Sequence, residues 1–268
     1  MGGKAWTCCA RDSCVPGGCG DRVTAHLGAP NYRGVVLPRV LGYVLLAGGL
    51  ASALTVWALD HVARGGVAAS LGALLVTAAG AVDDVVPSSV RGLRGHLRAL
   101  GSGRVTTGVI KIFVVVGAAI VIVAAEPPRT SVVRVAGVVL IAGATNVWNG
   151  LDVRPGRALK FGLPLLVLAV AGIAWSDAPF VPGIAVAAAL VLPWDAGERA
   201  MLGDAGSNLL GFTIGLALYL ALTGPWVVVV AVIAVGLNIL ADTVTLSGVI
   251  SLVPPLRWYD ALGTPRRR

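Results

Sequence analysis

The sequence predicts an all-α protein, a polytopic bundle of about eight transmembrane helices. Its 268 residues are 56% hydrophobic and only 13% charged, and the mean hydropathy of +0.85 is too high for the core of a soluble domain. Apolar runs recur along the chain, and most approach the roughly 20 residues that a helix needs to cross about 30 Å of hydrocarbon. The 36 glycines in the chain favour close helix contact in lipid, and so a helical bundle over a barrel.

Eight apolar runs define the predicted spans, with short polar segments between them. The fifth and sixth runs are the shortest, fall below the roughly 20 residues that a crossing requires, and are the least secure of the eight predicted spans. A polar, Gly-rich and Cys-rich segment, residues 1–30, precedes the first run and is predicted to be a disordered cytoplasmic tail, so that residues 31–268 form the transmembrane domain. The spans are predicted at 36–59, 62–82, 107–125, 132–150, 161–176, 179–194, 207–223 and 225–250.

The predicted tail contains four cysteines, Cys8, Cys9, Cys14 and Cys19. Their spacing lacks the paired C-x2-C pattern of common zinc sites, and a reducing cytoplasm disfavours disulfides. The tail also lacks the apolar stretch of a secretory signal. We therefore expect a disordered tail, or an imperfectly assigned start, rather than a metal site.

The distribution of Lys and Arg predicts which side of the membrane each loop faces, because short loops rich in these residues stay cytoplasmic. With a cytoplasmic N-terminus, only Arg64, Arg129 and Arg134 of the 21 Lys and Arg residues lie outside. Both termini are then predicted to be cytoplasmic, in a multi-pass protein of the inner or plasma membrane. The net charge of +8 is first a topology signal and second an attraction to anionic lipid or phosphate. No nucleic-acid partner is expected, since the basic residues are spread over short separate segments.

Three acidic clusters lie at the ends of predicted spans, all on the predicted cytoplasmic side. Charge at the edge of a membrane helix is costly, and its recurrence indicates a functional site. Because the carboxylates lie at helix ends and not at mid-membrane, an ion-coupled transporter is disfavoured. The second cluster has helical spacing, so its side chains are predicted to share one face and converge on a ligand. The clusters are Asp83-Asp84, Asn146-x-x-Asn149-x-x-Asp152 and Gly203-Asp204-Ala205-Gly206-Ser207.

Basic side chains accompany these carboxylates between the second and third spans. Arg94, His96 and Arg104 lie in this loop, and Lys111 lies one turn inside the third span. Arginine forks to phosphate oxygens while carboxylates hold a divalent cation, so the combination suits a phosphorylated substrate. The sequence leaves two alternatives open: the arginines serve only topology, and Lys111 only extends towards the membrane surface.

The acidic clusters also carry a family resemblance. Residues 80–85 (GAVDDV), 146–152 (NVWNGLD) and 201–211 (MLGDAGSNLLG) are similar, in this order, to the signature motifs of polyprenyl-phosphate N-acetylhexosamine-1-phosphate transferases. This family includes the phospho-N-acetylmuramoyl-pentapeptide transferase of peptidoglycan synthesis. Residues 30–34 resemble the segment before the family's second helix, and the loop up to Lys111 resembles the family's next loop. Each motif alone is weak, but three in order on one predicted face form a specific signal.

The resemblance implies a Mg²⁺-dependent enzyme, with Mn²⁺ as a substitute, that moves an N-acetylhexosamine-1-phosphate from a UDP-amino sugar to a polyprenyl phosphate such as undecaprenyl phosphate. The reaction releases UMP and serves peptidoglycan or another envelope polysaccharide. The resemblance also implies catalytic roles for Asp83, Asp84 and Asp204, with Asp204 as the leading metal ligand and Asp83 as a second. The implied partners are the membrane, the lipid, the donor and a second copy in a homodimer. The residues expected to bind substrate are Asn146, Asn149, Asp152, Arg94, His96, Arg104, Lys111, Gly206 and Ser207.

The sequence departs from the family pattern in three places. Residues 251–268 contain no histidine where the family has a histidine-rich loop, residues 153–157 (VRPGR) stand where further Gly and Asp are common, and the polar tail replaces the first helix. We therefore expect altered recognition of the sugar nucleotide. The alternative function is a non-catalytic relative that binds lipid-linked precursors or scaffolds an envelope complex.

Each acidic residue also has a purely structural alternative. Asp204 is a candidate N-cap for the seventh span, and the other two clusters contain residues that commonly end helices. Asp242, inside the predicted eighth span, is expected either to line the cleft or to make a polar contact between helices.

Overall fold

The structure is a computed structural model that describes residues 27–86, 90 and 92–264. An antiparallel hairpin comes first, in which β1 (Gly28–Pro30) pairs with β2 (Val36–Pro38). Strand β1 lies in the segment that the sequence assigns to the tail, whereas residues 1–26, with all four cysteines, lie outside the described residues. The helices that follow are α1 (Leu41–Leu59), α2 (Arg64–Val85), α3 (Leu93–Gly101), α4 (Thr107–Ala125), α5 (Ser131–Leu151), α6 (Arg157–Val170), α7 (Val181–Ala196), α8 (Gly203–Ala221), α9 (Gly224–Thr243), α10 (Leu246–Leu252) and α11 (Pro254–Ala261).

The predicted all-α bundle is confirmed for the described part of the chain. Five helices there, α1, α2, α4, α5 and α9, are long and apolar enough to cross a membrane. Helix α7 is apolar but has 16 residues, and α6 has 14. The described chain is thus a helical protein with several helices suited to a membrane, and the number of eight crossings stays a prediction.

Three predicted spans differ in outline from the helices. The stretch 225–250 is two helices, because Thr245 has a φ of 68°, a left-handed conformation that does not continue an α-helix. The Thr245 hydroxyl instead accepts a hydrogen bond from the Gly248 N–H and caps α10. The first span begins at Leu41, because residues 36–38 belong to the hairpin, and the stretch predicted at 161–176 ends at Val170.

Helix α8 forms the centre of the bundle. It is buried over most of its length, and it packs against α1, α2, α5 and α6. Its glycines allow this contact: a Cβ on Gly211 would lie 2.7 Å from the Ala144 carbonyl oxygen, and one on Gly215 would lie 2.8 Å from the Ile141 Cα. Small residues at such contacts let helix backbones approach in lipid. The central position of α8 therefore places its first turn inside the bundle end.

Polar contacts between helix ends define what we call the site end of the bundle. The Asp84 side chain, at the end of α2, accepts the Asp204 N–H at the start of α8. The Asp195 side chain, near the end of α7, accepts the Gly156 N–H just before α6. The three acidic clusters therefore lie at the same end of the bundle, as the sequence predicts. The side of the membrane that this end faces stays a prediction.

Candidate active site at one end of the bundle

Two carboxylates and one ammonium group form the central charged cluster of the site end. The Lys111 Nζ lies 2.9 Å from the Asp83 Oδ2 and 3.0 Å from the Asp204 Oδ2. The Thr107 hydroxyl donates a hydrogen bond to the other oxygen of Asp83. The Asp204 side chain is 34% exposed, against 14% for Asp83 and 13% for Lys111. Lys111 thus pairs with the acidic residues instead of only extending to the membrane surface, and Asp204 is the most accessible member.

Asp84, the neighbour of Asp83, points elsewhere and caps the central helix. Its carboxylate accepts the backbone N–H groups of Asp204, at 2.9 Å, and of Ala205, at 3.0 Å. The Arg39 guanidinium lies 3.0 Å from the same carboxylate and also donates to the Asp84 carbonyl oxygen. The N-cap residue of α8, Leu202, has no side-chain acceptor, so Asp84 supplies from α2 what an N-cap normally provides. Asp204 lies in the first turn and is not the cap.

Glycines make room for this cap. A Cβ on Gly80 would lie 2.5 Å from the Asp204 carbonyl oxygen, and one on Gly203, whose φ is +68°, would lie 2.8 Å from an Asp84 carboxylate oxygen. Gly206 serves a different contact, because a Cβ there would lie 2.6 Å from the Gly42 Cα in α1. Gly206 is thus buried at a helix contact, not at a ligand surface, where the resemblance had placed it.

The second acidic cluster does not converge as its helical spacing predicts. The Asn149 amide oxygen accepts the hydroxyl of Ser207, which is fully buried, so this pair joins α5 to α8. The Asn146 amide donates to the Asn238 side chain in α9. Asp152 is the C-cap residue of α5 and lines a cavity that Asn146 and Asn149 do not line. The three side chains therefore serve three different contacts.

A polar cavity of about 450 Å³ opens at the site end. Asp204 lies in its wall, and burial raises the pKa of Asp152 well above its ordinary value, with the charge of Asp195 adding to the effect. Asp195 and Arg39 are not among the site residues predicted from the sequence, although Asp195 also follows an apolar run. The charged residues of the lining are Arg39, Asp84, Asp152, Arg154, Asp195 and Asp204, with Asn31 and Tyr32 beside them.

An apolar groove of about 330 Å³ lies on the other side of the charged cluster. Its walls come from α4, α5 and α9, and Arg94, Lys111 and Asp242 lie in its lining. Asp242 thus lines the groove from the last turn of α9. Because Lys111 lines the groove and Asp204 lines the polar cavity, the ion pair between them lies where the two spaces adjoin. The apolar lining includes Ile112, Val115, Val116, Val235 and Ile239.

His96 and Arg104 lie apart from both spaces. The His96 Nδ1 is 2.8 Å from the Thr106 hydroxyl, and its ring covers Gly108 at the start of α4. Burial lowers the pKa of His96. Arg104 is exposed in the turn after α3 and lines neither space. Of the four basic residues selected from the sequence, only Arg94 and Lys111 line a cavity.

The carboxylates of the site end suit a cation whose other ligands come from a substrate. They do not suit a metal ion that is enclosed by protein ligands alone. Within residues 27–86, 90 and 92–264, no three His, Cys, Asp or Glu side chains are grouped so that they could hold a metal ion. Mg²⁺ in phosphate chemistry is usually held by one or two carboxylates together with substrate phosphates and water. Asp83 and Asp204, which share one ammonium group, match that smaller requirement.

Comparisons with protein-family models, with curated proteins and with solved structures found no match to this chain. The function is therefore inferred from its own residues and their geometry.

Proposed function

We propose that this protein is a membrane phosphoglycosyl transferase that moves an N-acetylhexosamine-1-phosphate from a UDP-sugar to a polyprenyl phosphate and releases UMP. One observation carries the proposal: the Lys111–Asp204 ion pair, at 3.0 Å, lies where a polar cavity adjoins an apolar groove. A reaction between a water-soluble phosphate donor and a lipid phosphate needs two such spaces, with the reacting phosphates at their boundary.

The groove suits the lipid acceptor. Aliphatic side chains of α4 and α9 would surround the polyprenyl chain, while Arg94 and Lys111 offer positive charge to its phosphate. Arginine and lysine both bind phosphate, arginine through its planar fork and lysine as a point charge. When the lipid binds, the Lys111 ammonium, which now pairs with Asp83 and Asp204, would instead contact the attacking phosphate.

The polar cavity suits the donor. In the reaction an oxygen of the lipid phosphate bonds to the β-phosphorus of the UDP-sugar, and the bond from that phosphorus to the bridging oxygen of UMP breaks. Such transfers require mainly positioning and neutralisation of charge, which Mg²⁺ or Mn²⁺ on Asp204 and Asp83 would supply. A phosphate monoester loses its second proton at about pH 6, so at neutral pH the acceptor needs no obligatory base. Asp83 is then proposed to hold Lys111 and the cation in place.

The distribution of Lys and Arg supports a cytoplasmic position for the site end, and UDP-sugars are soluble donors that would reach it there. We propose the cell membrane as the location and an envelope polysaccharide or peptidoglycan precursor as the product. The other candidate, a non-catalytic protein that binds lipid-linked precursors, differs in predicting no release of UMP.

The test is release of UMP by the purified protein with polyprenyl phosphate, Mg²⁺ and a panel of UDP-amino sugars. We expect turnover with at least one donor, and a loss of at least a hundredfold in Asp83→Asn and Asp204→Asn. Asp60→Asn is the matched control, because Asp60 follows α1 at the end opposite to the site. Absence of UMP with every donor, while a known transferase of this kind works in the same detergent, would leave the non-catalytic candidate.

A further inference from the structure

Arg154 is the arginine of the polar cavity whose charge is not paired with a carboxylate. The other arginine in the lining, Arg39, lies 3.0 Å from the Asp84 carboxylate and is committed to it. Arg154 forms no ion pair with any residue that the structure describes. Its guanidinium instead lies over the ring of Tyr32, 4.4 Å from the ring centre. A positive group is therefore held in the cavity wall without being neutralised.

The ring that carries Arg154 is itself held in place. The Tyr32 hydroxyl accepts a hydrogen bond from the Arg33 Nε at 2.7 Å and lies 3.4 Å from a Glu198 carboxylate oxygen. Glu198 also accepts the Asn31 amide at 3.1 Å and pairs with Arg33 at 3.2 Å. Glu198 has a φ of 54°, a conformation that costs a non-glycine residue free energy. Glu198 thus has a strained backbone and contacts the side chains of Asn31, Tyr32 and Arg33. These contacts indicate that the fold holds the Tyr32 ring in place, as a platform for Arg154.

The remaining charges of the cavity explain what this platform can recognise. Four carboxyl groups line the same space, those of Asp84, Asp152, Asp195 and Asp204, and each of them that is ionised and unpaired would repel an incoming anion. A guanidinium that lies over a ring keeps N–H groups available for other partners, and these match two oxygens of a phosphate group. Arg154 is thus the group in the lining that can attract a phosphate away from the acidic wall.

We infer that Arg154, held on the Tyr32 ring, binds a phosphate of a nucleoside diphosphate and thereby determines which soluble donor enters the cavity. This inference rests on the proposed function, since it assigns the donor of that reaction to the polar cavity. It concerns residues that replace the Gly and Asp expected after Asp152 in the sequence. Arg154 acts in binding and makes no bond with the reacting phosphorus.

The first test is equilibrium binding of UDP to the purified full-length protein in detergent with Mg²⁺. We expect Arg154→Gln to weaken binding about tenfold, and Arg154→Lys to weaken it by less, because lysine keeps the charge but loses the fork. Tyr32→Leu removes the platform and should also weaken binding. Arg257→Gln is the matched control, an exposed arginine of α11 that lines neither space, and should bind as the wild type does.

Steady-state kinetics gives the second readout. The Arg154 variants should raise the KM for the UDP-sugar and leave both kcat and the KM for polyprenyl phosphate within about twofold. Arg154 is exposed, so its variants are expected to fold, and an unchanged thermal midpoint would verify this. If the wild type binds UDP and Arg154→Gln binds it equally tightly, the inference is wrong and the proposed function is unaffected. Equal weakening in Arg257→Gln would also overturn it, as an effect of overall charge. A wild type that binds no UDP overturns both.

Discussion

Substitutions of the two adjacent aspartates at the end of α2 should have different effects, one on stability and the other on activity. Asp84 accepts two backbone N–H groups of α8 and the Arg39 guanidinium, and its side chain is only 4% exposed. Asp83 accepts hydrogen bonds from the side chains of Lys111 and Thr107. We therefore predict that Asp84→Ala destabilises the fold, whereas Asp83→Asn abolishes UMP release in a protein of nearly normal stability.

The magnitude follows from the groups that lose their partners. Loss of an N-cap acceptor costs about 1 kcal/mol, with a range of about 0.5–2, and a buried pair that loses one partner costs about 3–5 kcal/mol. The Arg39 side chain is 29% exposed, so water recovers part of that cost, and we expect about 3 kcal/mol for Asp84→Ala. At about 2–4 °C per kcal/mol for domains of roughly this size, the thermal midpoint should fall by about 6 °C or more. Asp83→Asn should change it by less than about 2 °C on the same scale.

The assay is thermal unfolding of each purified variant in one detergent, followed by tryptophan fluorescence, with UMP release measured on the same samples. Asp84→Asn gives an intermediate test, because its amide keeps one acceptor oxygen but loses the charge. A thermal midpoint in Asp84→Ala equal to that of the wild type would refute the capping role. Equal destabilisation in the Asp83 and Asp84 variants would refute the assignment of a structural role to Asp84 and a catalytic role to Asp83.

Three further predictions concern the packing and the pH response. Gly206→Ala should destabilise the fold by about 1–3 kcal/mol through overpacking, whereas Gly117→Ala, where no atom lies within 4 Å of the added Cβ, should not; thermal unfolding of both decides. Asp260→Ala should cost about 3 kcal/mol in the same assay, because Asp260 pairs at 2.7 Å with Arg157, whose side chain is 4% exposed and would be left unpaired. Burial raises the pKa of Glu126 to about 6, so folding favours its protonated form and stability should fall as the pH rises from about 4.5 to about 6. Because Glu126 is only half-buried, Glu126→Gln should remove about 1 kcal/mol of this fall, and an unchanged pH profile of the thermal midpoint in that variant would contradict the assignment.

The helices could be predicted from the sequence, because apolar runs and their breaks are local features. The meeting of the acidic clusters at one end followed from the alternation of spans, which needs no tertiary information. The bend at Thr245 could not be predicted in this way, since neither proline nor glycine stands at that position and the polar residues beside it lie within a stretch that is apolar on average. The convergence predicted for Asn146 and Asp152 failed because, at about 3.6 residues per turn, residues six apart point about 120° away from each other around a helix, and only spacings of three or four share one face.

The capping role of Asp84 could not be predicted from the sequence for a different reason. A cap that comes from another helix depends on how α2 and α8 pack, and that packing is set by the absence of side chains at Gly80 and Gly203. Similarity to a motif shows only that the two aspartates are adjacent. It therefore implied a catalytic role for both of them. The platform of Tyr32 and Arg154 was missed likewise, because its members are 122 positions apart in the numbering of the chain and share no local pattern.

The charges at the boundary of the two spaces explain why the proposed reaction would require a divalent cation. Asp84 is matched by Arg39 and by the N-terminus of α8, so it adds little net charge to the site. Among the residues that the structure describes, Asp83 and Asp204 form ion pairs with the Lys111 ammonium alone, which leaves one negative charge uncompensated. A lipid phosphate and a nucleoside diphosphate would add several more negative charges at the same boundary, and like charges in a partly buried site repel strongly. Arg94 and Arg154 lie in the linings of different spaces and can attract the two substrates, but the pair of acidic side chains between them favours a cation over a phosphate. The same two carboxylates that oppose the substrates alone would therefore bind the ion that allows the phosphates to approach each other.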